Sequence, residues 1–276
     1  MIIVASKPGQ LGNLLLVYAH FMAFSIENNL RLFNPAFHEY RAYFKNAGRS
    51  TGSLFYRLSY LTARLLARLR IKNGLVSAVT IDWHETVDLN NAAMLNSKLC
   101  FVQGWQFRSD ALLVKHKQRI REFFTPNDEL QNRIENFFVE NFKAPGTVII
   151  GIHIRRGDYK TFENGRFYFS VEQYLEKMRE LKRLFADKKT AFLVCSNEKT
   201  TFSAEIQKEF GIVHGPGHEL MDMYSLAKCD YIIGPPSTYT MWASFYGQVP
   251  LYMLHDMNKP VVKADFEMYL KQERQD

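Results

Sequence analysis

Cysteine is scarce in this 276-residue chain, and Cys100, Cys195 and Cys229 are odd in number and far apart. That excludes a disulfide framework and a multi-cysteine zinc site, and it suits a reducing compartment. Long apolar runs are missing too. The most apolar stretch, Leu14 to Phe24, is too short to span a bilayer and contains His20. The opening residues Met1 to Gly9 lack a basic segment followed by an apolar one, so no secretory leader is expected and the setting expected is cytoplasmic. Internal repeats, low-complexity tracts, zinc-finger spacing, RNP-type aromatics and basic heptads are also absent. Nucleic acid is therefore not an expected partner.

What is present is an ordinary globular composition, 47% hydrophobic and 23% charged, with a net charge of +7 that favours anionic partners. Strand-like runs occur at 2–5, 76–81, 99–102, 148–154, 191–195, 231–233 and 250–254. Helical periodicity falls at 11–28, 54–70, 109–124, 128–142, 171–185, 201–210, 220–228 and 238–246. The alternation predicts an α/β chain with mainly parallel sheets, arranged as two Rossmann-like lobes facing a cleft. Ser170 reads as the N-cap of the helix that begins at Val171. Lys143-Ala144-Pro145-Gly146 breaks the pattern and reads as a linker, giving an N-terminal lobe over 1–143 and a C-terminal lobe over 147–276. In Arg57–Lys72, Leu58, Leu61, Leu65 and Leu69 recur at helical spacing beside Arg57, Arg64, Arg68 and Arg70. That pattern admits a membrane-surface helix, but the expectation is a core-facing helix with solvated arginines.

Three segments carry chemistry. In the first, the apolar run Val148–Ile152 ends in His153-Ile154-Arg155-Arg156-Gly157-Asp158-Tyr159. Ligands of open α/β sheets bind beyond the carboxyl ends of the strands, and guanidiniums there suit phosphate oxygens. The plainer reading makes both arginines solvated, with Asp158 as a local ion-pair partner. In the second, Lys7-Pro8-Gly9-Gln10-Leu11-Gly12-Asn13 lies between a strand and a helix, where glycines admit close approach to the helix start. In the third, a helix containing Asp222 feeds a short strand that opens into Gly234-Pro235-Pro236-Ser237-Thr238-Tyr239. The hydroxyls and free amides there form a second candidate phosphate cradle. Alternatively, Ser237 simply caps a helix and Asp222 serves as a first-turn carboxylate.

Together these blocks resemble glycosyltransferase family 11, the α-1,2-fucosyltransferase type, within the wider fucosyltransferase superfamily. His153–Tyr159 is similar to the family's hallmark. Gly9–Asn13 with Tyr18-Ala19 resembles its N-terminal block, and Ile232–Ala243 its C-terminal block. Gln10, Leu14, Gly234-Pro235-Pro236 and Met241 depart from the usual residues, and they bear on acceptor and linkage more than on the donor. The resemblance implies a GT-B-like enzyme transferring fucose from GDP-fucose to a glycan hydroxyl with inversion, in an α-1,2 linkage. The N-terminal lobe would face the acceptor and the C-terminal lobe would bind the donor. Arg155, then Arg156, would contact the diphosphate, His153 would lie against the nucleotide, and Asp222 would meet the guanine edge. Ser237, Thr238 and Tyr239 would hold phosphate oxygens, Gly9, Gly12 and Asn13 would close the site, and Asp158 would be the base.

The chain has no Asp-x-Asp pair to hold a divalent ion on a nucleotide sugar. The nearest approach, Asp265-Phe266-Glu267, is expected on a terminal helix, where positions two apart do not share a face. No metal or cofactor is expected. An oligosaccharide or lipid-linked glycan acceptor is implied, with peripheral contact at the inner membrane face. A transferase using another GDP-sugar, a non-catalytic nucleotide binder and a membrane-peripheral interaction protein are the alternatives.

Overall fold

The computed structural model describes residues 1–47, 53–69, 75–81, 90–104 and 107–270. It divides into two compact units, Met1–Leu130 and Gln131–Asp276. In the first unit the order is β1 (Ile2–Val4), α1 (Leu11–Glu27), β2 (Leu32–Phe33), α2 (Ser53–Arg68), β3 (Val76–Ile81), α3 (Ala92–Asn96), β4 (Leu99–Gly104), α4 (Asp110–Lys115) and α5 (Lys117–Phe123). The sheet is parallel throughout, in the order β2-β1-β4-β3. Strand alternation sorts its two faces. Ile2 and Val4 join Cys100 and Val102 under Val17, Phe21 and Phe24 of α1, whereas Ile3, Ala5 and Phe101 meet Ala63 and Ala67 of α2.

Helix α2 overturns the expected core-facing stripe. Its small residues Ala63 and Ala67 are the buried ones, and Leu58, Leu61, Leu65 and Leu69 are exposed. Alanine lets a helix axis sit close to a sheet, so the apolar contact is made on the alanine side and the leucines point away. Positions 70–72 of that segment lie outside the described residues. The single helix expected over 109–124 is two, α4 and α5, meeting at His116. Glu27 accepts hydrogen bonds there from Lys115 and pairs with the His116 ring, both at 2.7 Å.

Helix α6 (Asp128–Asn141) carries the chain across the unit boundary to the Lys143–Gly146 connection, where Gly146 takes φ +74°. The second unit then runs β5 (Val148–Ile154), α7 (Val171–Leu184), β6 (Thr190–Ser196), α8 (Ala204–Phe210), β7 (Ile212–His214), α9 (Glu219–Leu226), β8 (Tyr231–Gly234), α10 (Thr238–Gly247) and β9 (Leu251–Met253). All strands are parallel, in the order β7-β6-β5-β8-β9. The chain leaves β5 for β6 on one side and returns to pair β8 on the other, so the topological switch point lies between β5 and β8. Ser170 does cap α7, in a reciprocal capping box with Gln173. Tyr174, Leu175, Met178 and Leu181 of that helix pack on Ile150, Ile152 and Ile154.

The terminal helix expected around Asp265–Glu267 is absent. Lys263–Asp265 forms one 3-10 turn, and Glu267 exchanges backbone hydrogen bonds with Leu251 at the edge of β9. Both units are parallel α/β layers, in agreement with the expected fold class.

Candidate functional site

Strand alternation gives the two arginines of the signature different surroundings. Along β5, Ile150, Ile152 and Ile154 face α7, so Gly151 and His153 face α9 and α10. The alternation persists past the strand end. Arg155 follows His153: its Nη2 donates to Asp158 Oδ2 at 2.9 Å and its guanidinium lies 5.4 Å from the Tyr159 ring centre. Arg156 follows Ile154: its Nη1 donates to the Phe169 carbonyl at 2.9 Å, and its guanidinium covers the Tyr168 ring at 4.6 Å. The backbone N–H of Arg156 donates to Asn197 Oδ1 at 2.7 Å, tying the ends of β5 and β6 together. The adjacent cations therefore do not form one fork. Arg155 lies on the switch-point side, and Arg156 clamps the segment that leads into α7.

Backbone proximity at the switch point explains the glycines. A Cβ at Gly234 would fall 2.9 Å from His153 Cβ, and one at Gly151 would meet Leu226 Cδ2 at 2.5 Å. Only hydrogen at these positions lets β8 and α9 close on β5. His153 is consequently buried and stacks on Tyr239, with ring centres 4.9 Å apart. Burial, with Arg155 beside it, pushes its pKa down to about 3, so the ring is neutral at physiological pH. Its Nδ1 has no hydrogen-bond partner.

Beyond β8, Tyr159 Oη donates to the Pro236 carbonyl at 2.6 Å, which fixes the turn against the signature. Ser237 caps α10, its Oγ accepting from the Tyr239 N–H at 3.2 Å, while Tyr239 Oη donates to the Glu219 carbonyl at 2.6 Å. The capping reading of Ser237 thus holds, and Thr238 opens the helix with its amide in the first turn.

Asp222 stands in the first turn of α9, buried, with Oδ1 accepting from the Gly217 N–H at 2.9 Å. Burial raises its pKa to about 6 against the opposing effect of that bond. A Cβ at Gly215, just past β7, would come within 2.8 Å of both Asp222 Oδ1 and Cys195 Sγ, so a larger residue there would displace one or both of those side chains. Asp222 forms one wall of a cavity of about 490 Å³ beyond the ends of β6 and β7. Its other walls include Asn197, Thr200, His214 and Gly217. Sequence reasoning missed Asn197 and the Gly215–Gly217 turn. Asn197 lies two residues past the strand-like run 191–195, which is a weak signal; β7, only three residues long, gave none.

The remaining candidates belong to the first unit. Gly9 takes φ +59° in the turn before α1, Gln10 is the N-cap without a side-chain cap bond, and Gly12 and Asn13 lie in the first turn. Lys7 pairs with Glu39 at 2.8 Å. Among the described residues no three His, Cys, Asp or Glu side chains gather as a metal site.

The model of glycosyl transferase family 11 matches residues 99–267. No curated protein sequence matches the chain. Among solved structures, a mutant of Arabidopsis thaliana FUT1 in complex with GDP aligns with a TM-score of 0.62 at 11% identity, over 92% of this chain and 70% of that one. The α-1,6-fucosyltransferase NodZ of Bradyrhizobium, soaked with GDP-fucose, gives 0.56 at 16% identity over 91% and 94% of the two chains. POFUT1 in complex with GDP gives 0.56 at 12% over 91% and 96%. At such identities the likeness is one of fold.

Proposed function

The chain belongs to glycosyl transferase family 11, and from that premise we propose that it moves fucose from GDP-fucose to a glycan hydroxyl, with inversion and an α-1,2 linkage. The observation that carries this reading is the arrangement at the switch point. A cation, a helix start and a buried neutral imidazole gather at the ends of β5 and β8, and a cavity walled by a carboxylate lies beyond the ends of β6 and β7. The complexes of NodZ with GDP-fucose and of POFUT1 and FUT1 with GDP lend it support through the shared fold.

In this proposal the cavity beside Asp222 takes the guanosine, whose ring N–H and amino groups donate to the carboxylate. The diphosphate lies between Arg155 and the start of α10, where the Thr238 amide and the Ser237 hydroxyl, which accepts from the Tyr239 N–H and keeps its own proton to donate, face its oxygens. His153 Nδ1 accepts a hydrogen bond from the donor, ending its lack of a partner. Cleaving the sugar–phosphate bond builds negative charge on the diphosphate and positive charge on the ring, and a preorganised guanidinium stabilises the former.

Asp158 is the proposed base. Arg155 holds it at 2.9 Å, and a diphosphate that recruits the guanidinium releases the carboxylate for the acceptor hydroxyl. Arg156 acts as a positioning residue through Phe169 and Asn197. The part given to Gly9, Gly12 and Asn13 in donor binding rests on motif order alone. The setting proposed is cytoplasmic, with an oligosaccharide or lipid-linked glycan as acceptor; the three buried free cysteines are in keeping with it.

Calorimetric titration with GDP and GDP-fucose in EDTA, against GMP, UDP and ADP, tests the donor site. Selective GDP binding is expected, together with a fall in turnover of about 10²–10³-fold in Arg155→Ala. Wild-type turnover by that variant, or folded protein that ignores GDP, would overturn the reading.

A further inference from the structure

Helix α2 displays an apolar surface that the described residues leave uncovered. Eleven large apolar side chains are exposed among the described residues, and six of them fall between 54 and 69. Leu54, Leu58, Leu61, Leu65 and Leu69 follow one another at steps of four, three, four and four, with 52–66% of each exposed. At roughly 100° per residue they form one stripe, diametrically opposite the buried Ala63 and Ala67. The exposed Arg57, Arg64 and Arg68 all fall along the same border of that stripe, roughly 60–100° from its centre. No acidic residue occurs between Ser53 and Leu69.

We propose that α2 lies in the surface of an anionic phospholipid bilayer, its leucines in the acyl boundary and its arginine row on the headgroup phosphates. Charge selects this occupant. The surface that covers the stripe must be apolar where the leucines enter and anionic along one edge, and an acidic bilayer is both. Arginine forks pair with phosphate oxygens, and their stems extend the apolar contact.

A second copy of the chain fits less well. Two α2 helices packed face to face place arginine rows together with no acid on the helix to answer them. A specific interface also buries about 800 Å² per partner, more than one leucine stripe supplies. The arrangement lies on a membrane and does not cross it: among the described residues no helix is long and apolar enough to span one. The inference does not depend on the donor chemistry. It explains the leucines that the core leaves out, and it adds a surface on which an acceptor with a lipid tail is concentrated.

The test is co-sedimentation of the full chain with phosphatidylcholine vesicles, with and without phosphatidylglycerol. Binding to the anionic vesicles is expected to exceed binding to the neutral ones by on the order of a hundredfold, about fivefold for each arginine, and to weaken as salt rises. Arg57→Gln/Arg64→Gln/Arg68→Gln removes the lipid preference. Leu58→Glu/Leu65→Glu lowers binding to anionic vesicles by at least about tenfold while leaving the circular dichroism and melting temperature unchanged, since both positions are exposed. Wild-type protein that stays in the supernatant with anionic vesicles overturns the proposal. So does a double leucine variant that binds as wild type, because the general positive charge would then suffice. A dimer in sedimentation velocity that dissociates on Leu58→Glu/Leu65→Glu, without vesicle binding, assigns the stripe to a second copy instead.

Discussion

Helix α2 in the first unit and helix α7 in the second carry similar patterns, an apolar stripe at helical spacing bordered by basic residues, and they use them in opposite ways. Helix α7 turns Tyr174, Leu175, Met178 and Leu181 onto the sheet and keeps Arg179 half-buried, paired with Glu176 and lying over Phe210. Helix α2 turns Ala63 and Ala67 inward and sets four leucines outside, with Leu69 just past its end continuing the stripe. The contrast shows what periodicity fixes and what it leaves open. It establishes that a helix has two faces; which face meets the sheet depends on the surface beneath. Under α7 the sheet presents Ile150, Ile152 and Ile154 of β5 with Phe192 and Val194 of β6, a branched apolar surface with which large side chains interlock. Under α2 the sheet offers Ile3, Ala5 and Phe101, and the helix meets them with alanines.

The largest effect expected separates the two helices. Met178 is fully buried, so Met178→Asp places an unpaired charge in the core and is expected to cost about 4 kcal/mol or more. Leu61→Asp, on the stripe of α2, is expected to change stability by less than about 0.5 kcal/mol, as exposed substitutions do. Ala63→Leu lies between them, at about 1–3 kcal/mol, through overpacking of the buried face. Urea denaturation measures all three. A Leu61→Asp cost equal to that of Met178→Asp would mean that the leucines are covered in the protein in solution.

The same distinction marks how far the sequence could be read. The strands at 76–81 and 148–154 were legible to the residue, because apolar runs between turn residues have little else to become. Ser170 was legible as a cap, since its partner Gln173 lies at the spacing a capping box needs. Strands β2 and β7, of two and three residues, were invisible; so short a run owes its place to the strand beside it, Ile2 with Leu32 and Leu193 with Val213. Of the candidates, His153, Arg155, Asp222 and Ser237 were legible as residues at strand and helix ends, and the structure sets them there. Their division of labour was not. That Arg155 and Arg156 diverge follows from strand alternation, but that Arg156 is held by the Phe169 carbonyl depends on a loop conformation. No spacing rule supplies it.

A second pair of sites, one in each unit, sharpens the contrast at about 2 kcal/mol. His20 and His153 are both buried, and burial pushes both pKa values down from 6.5 to about 3. The folded protein therefore disfavours the proton that the unfolded chain accepts. Stability from each ring is full above pH 6.5 and is lost as pH falls toward 3, by about 2 kcal/mol per ring at pH 5. The rings differ in their partners. Nδ1 of His20 accepts from the Ser109 N–H at 2.9 Å and its unbonded Nε2 lies 3.8 Å from Asp110 Oδ1, whereas the unbonded Nδ1 of His153 lies at the switch point. Replacing either by Gln should flatten the acid side of the stability profile, followed by thermal melting from pH 7 to 5. Only His153→Gln should also weaken GDP binding. Equal loss of GDP affinity in His20→Gln would remove the distinction between a structural and a ligand-facing histidine.

The smallest effect is expected from the two first-turn aspartates that burial perturbs, Asp110 in α4 and Asp222 in α9. For Asp222 the folded pKa of about 6 lies above the ordinary aspartate value of 3.8, so folding favours its protonated form. Its contribution falls as pH rises from about 4 to 6, and above that the carboxylate is a standing cost. Asp222→Asn keeps an oxygen for the Gly217 N–H and removes the charge, so it should raise stability at pH 7 by about 1–2 kcal/mol. The gain should shrink toward pH 4, where the wild-type carboxyl already holds its proton. A residue kept at a cost to the fold is expected to act on something the fold does not contain, and a guanine edge supplies the donors a carboxylate needs. The same substitution should accordingly weaken GDP binding about tenfold, as loss of a hydrogen bond to a charged group does. Asp110 is pushed up in the same direction, but its side chain is 61% exposed and solvent screens the effect, so its change to Asn should move stability by less than about 0.5 kcal/mol and leave GDP binding unchanged. Should Asp222→Asn stabilise the protein and still bind GDP as tightly as wild type, the base would have to sit elsewhere, and the cavity beside β7 would lose its assignment.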